Sequence, residues 1–310
     1  MQIIDILLSI FLFIGVGFFS EKKKLLGKDA LVALNKFVYY FGLPALVFSS
    51  LSQQNFSQFF NFKFMIVFTI GMIAVFIISK LLYLYVYPQS TKEEVTMKSM
   101  LSFLPNTAFM GIPICSVVAG KQGVLAGLMA TLLMSIFQII LLPFLKEHDS
   151  ERRHNLGVIV LDIFKQPFSI MIILGLLTSY FKITIPEFIL ESSTMLGATA
   201  TPCALFAIGM ALGSEKKVIQ IQDTFMISLF KFTIQPLIVL IGMILLHVPH
   251  DWAISGLILS ALPPAASLFI FAKEFKVYAA QSATIIFLTT ICSSVIIPIM
   301  VLLGNEFILK

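Results

Sequence analysis

Apolar runs of about eighteen residues or more recur along the whole chain, separated by short polar breaks. A helix of that length covers the hydrocarbon core of a bilayer. Ten spans are read. The first half holds Ile3–Ser20, Leu31–Leu51, Phe64–Tyr87, Val95–Ala119 and Gly123–Leu145. The second holds Leu156–Tyr180, Ile185–Gly213, Thr224–Val248, Ala253–Phe275 and Ala279–Leu303. Between them lies Lys146–Asn155, KEHDSERRHN, the most polar stretch in the sequence. The pattern predicts an all-α integral membrane protein. Residues 1–145 form a first five-helix repeat, 146–155 a cytoplasmic linker and 156–310 a second repeat.

Landmarks of the two halves recur at one offset, 158 residues. Gly17 matches Gly175, Pro44 matches Pro202, and Phe48 matches Phe206. Ser102, Leu104 and Pro105 match Ser260, Leu262 and Pro263. Five spans per half is an odd number, so the halves enter the membrane from opposite sides. That is an inverted repeat, a recurrent architecture of secondary transporters.

Composition agrees with the pattern. The chain is 58% hydrophobic and 12% charged, against about 25% charged in a soluble domain. The net charge of +5 does not indicate nucleic-acid binding, because the basic residues sit between apolar spans rather than on an aromatic-rich basic surface. Loops after the odd-numbered spans carry fourteen lysines and arginines, including Lys22–Lys24, Lys98, Arg152 and Lys216, against four on the other side. The positive-inside rule then places both termini outside the cytoplasm. Asp5 and the absence of a basic leader make the first span a retained helix rather than a signal peptide. Cys115, Cys203 and Cys292 all lie in apolar segments without metal-like spacing, and read as buried hydrophobes. No nucleophile elbow, HExxH, P-loop or dinucleotide fingerprint occurs, so the chain is not expected to be an enzyme, and no metal or cofactor is expected.

The chemistry concentrates where two spans are interrupted. Pro105, Gly111 and Pro113 fall within nine residues of the fourth span, and Pro263 and Pro264 stand in the ninth. Proline removes a backbone donor and clashes with the preceding turn. Backbone freed in this way at membrane depth needs a partner or a polar cavity. Interrupted helices in corresponding positions of two halves point to a transport site. A half-helix N-terminus there offers N–H groups and a positive dipole end to an anion. Asn106 and Thr107 are the sharpest candidates, since an amide and a hydroxyl in lipid must hydrogen-bond to something. Ser267 is a weaker candidate, because serine can satisfy itself on its own helix. Asp162, Lys165 and Gln166 in the sixth span, and Lys231 and Gln235 in the eighth, are read as functional or structural. Asp162 and Lys165 are spaced to pair, and Lys231 is placed to snorkel.

Several blocks together are specific: FGLPALVFSSL (41–51), NTAFMGIPI (106–114), FKQPFSIMIILGLL (164–177), ATPCALFAIGMALG (200–213) and LPPAASLFIFAKEF (262–275). Over essentially its whole length the chain resembles the auxin efflux carrier family, in the short bacterial form that includes malate and malonate permeases. The resemblance implies ten helices, the fourth and ninth crossing at their proline breaks, with an anion site beside the crossing. It maps that site onto Pro105, Asn106 and Thr107 and onto Pro263 and Pro264, and Gly111, Pro113 and Ser267 complete the candidate set. Many members carry an asparagine after the alanines of the ninth span. Here the place reads Ala265-Ala266-Ser267, which removes a second amide contact.

The expected function is secondary transport of a small organic anion, a carboxylate such as malate or malonate, across the cytoplasmic membrane by alternating access. The alternative is a sodium-coupled symporter of the bile acid type. The coupling ion, proton or sodium, is left open. The expected partners are the anion and the lipid bilayer, with a homodimer as a candidate assembly.

Overall fold

The computed structural model describes residues 2–27, 29–53, 60–145, 167–214 and 220–308. The linker 146–155, Asp162, Lys165 and Gln166 lie outside the described residues. Twelve helices are numbered here: α1 Gln2–Lys22, α2 Ala30–Ser52, α3 Phe62–Val86, α4 Lys92–Phe103, α5 Ile112–Leu141, α6 Pro167–Tyr180, α7 Glu187–Ala198, α8 Ala200–Ser214, α9 Ile221–Leu245, α10 His250–Ser260, α11 Ser267–Glu274 and α12 Ala279–Ile308. Six stretches among the described residues are long and apolar enough to cross a membrane. They are Ala30–Ser52, Phe62–Val86, Ile114–Leu145, Glu187–Met210, Ile221–Leu245 and Ala279–Gly304. The described residues contain no strand beyond one isolated bridge.

Prolines shape the helices. Three wide turns, Val38–Gly42, Thr107–Gly111 and Phe230–Ile234, each end two residues before a proline: Pro44, Pro113 and Pro236. The residue just ahead of each proline reaches back five positions, Leu43 to Val38, Ile112 to Thr107 and Gln235 to Phe230. A proline cannot bond the carbonyl four residues back and pushes against it. Widening the turn relieves that clash and keeps most of the ladder. In α5 the chain reverses at Ala119 and Gly120, where Gly120 has φ +54°. That left-handed conformation favours glycine, and it separates the end of the fourth expected span from the start of the fifth.

The interrupted segments are wrapped by the rest of the chain. Every residue of α4 from Val95 to Phe103, and every residue of α10 from Trp252 to Ser260, is buried. By contrast, α3 turns Ile66, Ile70 and Ile77 outward while Phe64, Phe68 and Val75 face inward. An apolar outer face of this kind suits lipid. Lys98, counted above among loop cations, is a buried residue of α4.

Close packing at glycines sorts the helices into two groups. A Cβ on Gly17 of α1 would lie 2.1 Å from the Phe206 carbonyl oxygen of α8, and one on Gly209 would lie 2.0 Å from Ile14 O. A Cβ on Gly175 of α6 would meet Leu51, and one on Gly197 of α7 would meet Leu46, both on α2. Gly71 and Gly242 join α3 to α9, Gly256 joins α10 to α3 and α9, and Gly304 joins α12 to α10. One group is therefore α1, α2, α6, α7 and α8. The other contains α3, α5, α9, α10 and α12, with α4 packed against it through α3. Two contacts also exchange under the 158-residue offset: Gly17 meets Phe206, and Gly175 lies against Phe48 O.

Replacing Gly209 by leucine forces α1 and α8 apart. An overpacked site of this kind costs about 1–3 kcal/mol, so the melting temperature in detergent should fall measurably. A melting curve unchanged from the parent would show that the two backbones are not in contact.

Candidate functional site

The two interruptions meet. Asn106 N donates to Pro263 O at 2.9 Å, and Ala265 N donates to Leu104 O at 3.0 Å, forming an antiparallel bridge between Pro105 and Pro264. Each break therefore supplies partners for polar groups that the other cannot satisfy within its own helix. Beyond the bridge, Asn106 O accepts from Met110 N and Gly111 N, starting the wide turn that leads into α5. Thr107 N donates to Pro105 O, and the N–H groups that follow it belong to a helix start, where donors have no acceptor behind them.

Beside the bridge is a cavity of about 20 Å³, enough for a single water. Asn106, Ala265 and Ser267 line it from the crossing, Thr131, Ser135 and Gln138 from α5, and Leu43, Leu46 and Val47 from α2. Gln138 Nε2 donates to Ser267 Oγ at 3.0 Å, leaving Gln138 Oε1 buried without a partner. The Thr131 and Thr107 hydroxyls share a hydrogen bond of 2.8 Å, and Thr131 also reaches Gly127 O. Asn106 is 4% exposed and its side chain makes no cap bond to the turn it begins. Its amide is thus available to the cavity.

Of the candidate residues, Asn106 and Ser267 line the cavity, and Thr107 is tied behind it to Thr131. Pro105, Pro263 and Pro264 build the bridge. Gly111 packs against Leu259 and Leu262, where a Cβ would come within 2.5 and 3.0 Å. Pro113 stands in the first turn of α5, where proline is tolerated. Sequence reasoning passed over Thr131, Ser135 and Gln138. Their spacing of four and three places them on one face of a helix, a signal present in a span read only for its apolarity.

Two further polar clusters lie away from this cavity. Lys231 was expected to snorkel, yet it is fully buried, donating to Gln235 Oε1 at 2.7 Å and to Ser260 O at 3.4 Å. These two bonds hold its side chain inside the bundle instead of at an interface. At the other cluster, Lys98 of α4 pairs with Asp223 of α9 at 3.0 Å, both almost fully buried. The Lys98 ammonium also lies 3.8 Å from the centre of the Tyr87 ring, and Tyr278 O–H donates to Asp223, with Gln220 Oε1 a second acceptor 2.8 Å from the same hydroxyl. Burial first, then the bond to Asp223, raises the Tyr278 hydroxyl far above its ordinary range, so it remains a donor. This pair fastens the middle of α4 to the start of α9.

A helical chain whose two broken helices cross at a paired backbone bridge, beside a small polar cavity, has the build of a membrane transporter. The chain belongs to the Membrane transport protein family, that of the auxin efflux carriers, whose sequence profile matches residues 2–301. It is 24% identical to an uncharacterized transporter of Methanocaldococcus jannaschii over 95% of this chain and 96% of that one. It is 21% identical to a candidate malonate transporter of Rhizobium meliloti over 94% and 92% of the two chains. Auxin efflux carrier component 5 of Arabidopsis thaliana is 22% identical over 88% of each.

Removing one partner of a buried ion pair strands the other charge and costs about 3–5 kcal/mol. Asp223→Asn should therefore lower stability in detergent by that order, and adding Lys98→Met should recover much of it. A single variant as stable as the parent would mean that the pair contributes nothing.

Proposed function

We propose that this protein is a secondary active transporter that moves a small organic anion, a carboxylate of the malonate or malate class, across the cytoplasmic membrane by alternating access. The observation that carries the reading is the crossing, where Asn106 and the N-terminal end of the helix leading into α5 face a buried cavity. A carboxylate there would accept from the Asn106 amide and from first-turn N–H groups, in the favourable field of the half-helix. The malonate assignment of the Rhizobium meliloti relative supports the substrate class. No enzymatic activity is proposed, and the relatives are named as transporters.

The proposed topology is ten spans in two inverted halves, 1–145 and 156–310, with both termini outside the cytoplasm. The reciprocal contacts of Gly17 with Phe206 and Gly175 with Phe48 support the repeat. A homodimer is the proposed assembly. Ligand entry requires the cavity to open, since about 20 Å³ holds one water and not a dicarboxylate. The moving joint is then the surface between the two groups of helices, because α2 forms one wall and the crossing forms the other.

The test is counterflow of labelled malonate and malate into liposomes containing the purified protein, with Asn106→Ala alongside. Accumulation should occur with the native protein and fall at least about tenfold in the variant, as removing a bond to a charged group costs about 1.5–3 kcal/mol. Equal accumulation in both would remove Asn106 from the site. No accumulation of any mono- or dicarboxylate would overturn the substrate class.

A further inference from the structure

The two half-helices that end at the crossing, α4 and α10, both finish on carbonyls that the chain cannot satisfy locally. The carbonyl of Ser260 would accept from the residue four positions on, but that residue is Pro264 and has no N–H. The carbonyl of Phe103 would accept from Thr107 N, but that N–H donates to Pro105 O instead. Two orphan acceptors thus lie at the negative ends of two helices, away from water. In transporters with broken helices, carbonyls of this kind coordinate a sodium ion.

Here one turn of α9 covers both. Lys231 Nζ donates to Ser260 O at 3.4 Å and to Gln235 Oε1 at 2.7 Å, and Gln235 Nε2 donates to Phe103 O at 2.9 Å. Only one orientation of the Gln235 amide satisfies both neighbours, since the flipped form would set its NH₂ against the ammonium. Lys231 and Gln235 have no exposed surface. No carboxylate among the described residues pairs with Lys231; the two oxygens its Nζ reaches, a side-chain amide and a backbone carbonyl at a helix C-terminal end, are both neutral.

We infer that Lys231 is a resident cation of the crossing, its ammonium standing where a sodium ion would otherwise be bound, so that neither folding nor transport needs sodium. The C-terminal ends of the half-helices hold the Lys231 amino group on one side of the Pro105–Pro264 bridge. The N-terminal ends, with Asn106, lie on the other. The consequence for transport rests on the proposed function; the cation site itself does not.

The experiment follows thermal unfolding of the purified protein in detergent, in sodium chloride and in choline chloride at equal ionic strength. The parent should melt at the same temperature in both salts. Lys231→Ala should melt several degrees lower in choline, and sodium or methylammonium chloride should restore at least half of the loss. Lys231→Met, which fills the space without a charge, should be destabilised and gain nothing from either cation. If Lys231→Ala yields no folded protein, its recovery when extracted in methylammonium rather than choline serves as the same readout. A saturable stabilisation of the parent by sodium would overturn the inference, as would a Lys231→Ala protein indifferent to every small cation. These readouts need no transported substrate, so they stand or fall separately from the counterflow test.

Discussion

Every backbone N–H and C=O inside a bilayer must find a partner within the protein, because each unpaired group costs several kcal/mol. This chain places two prolines in succession, Pro263 and Pro264, in one buried helix and Pro105 in another. Each break alone would leave unpaired backbone at depth. Together they are complementary: Asn106 N and Ala265 N find Pro263 O and Leu104 O across the crossing. The bridge therefore sets where the two helices meet and fixes their register. The dense wrapping of α4 and α10 is then required, since only a fully enclosed segment can carry irregular backbone here.

That constraint also explains the distribution of polar side chains. The bridge uses N–H and C=O groups on one line, and leaves helix C-terminal ends on one side and N-terminal ends on the other. Acceptors on the first side are met by Lys231 and Gln235. Donors on the second side are left facing Asn106, Gln138 and Ser267 and the cavity between them. A buried cation and a proposed anion site are thus opposite faces of one pair of dipoles, and both follow from the same prolines.

The prolines made the breaks legible in the sequence, and an amide and a hydroxyl at lipid depth beside one of them made Asn106 and Thr107 legible as candidates. What a single chain could not show was which break meets which partner. Lys231 reads as a snorkelling lysine when only its own helix is considered, because its distance from a span end is compatible with that. Its first partner, Gln235, is one turn on in the same helix, but its second, Ser260 O, is 29 residues away, and Gln235 in turn reaches Phe103 O over 132 residues. Gln138 was hidden for a related reason. A single glutamine in an apolar span has no meaning until the helix that faces it, through Ser267, is placed 129 residues on. Pro113 and Gly111 were legible as breakers, and the place of Gly111 in a wide turn packed on α10, with Pro113 just beyond it in the first turn of α5, follows from the same local physics.

The glycines separate what is locked from what can slide. Where a Cβ would collide with another helix, that helix always belongs to the same group: α1 with α8, and α2 with α6 and α7, or α3 with α9 and α10, and α12 with α10. Among the described residues no such contact spans the two groups. In the first group these contacts include backbone atoms such as Phe206 O and Ile14 O, so a slide drives a carbonyl into the neighbouring chain; in the second they are with the side chains of Val67, Val239, Met243 and Ile254 seated against a bare glycine, where close packing resists a slide. Side-chain contacts, such as Leu43, Leu46 and Val47 against the crossing, can exchange rotamers and re-form after a shift. A bundle with interlocked interiors and a side-chain seam has its softest surface at that seam. The cavity lies on the seam, so a movement along it would open the cavity without breaking the Pro105–Pro264 bridge, which belongs wholly to one group. The alternating access proposed above therefore asks no backbone hydrogen bond of the crossing to break, and leaves the buried Lys231 in place while the proposed anion enters and leaves.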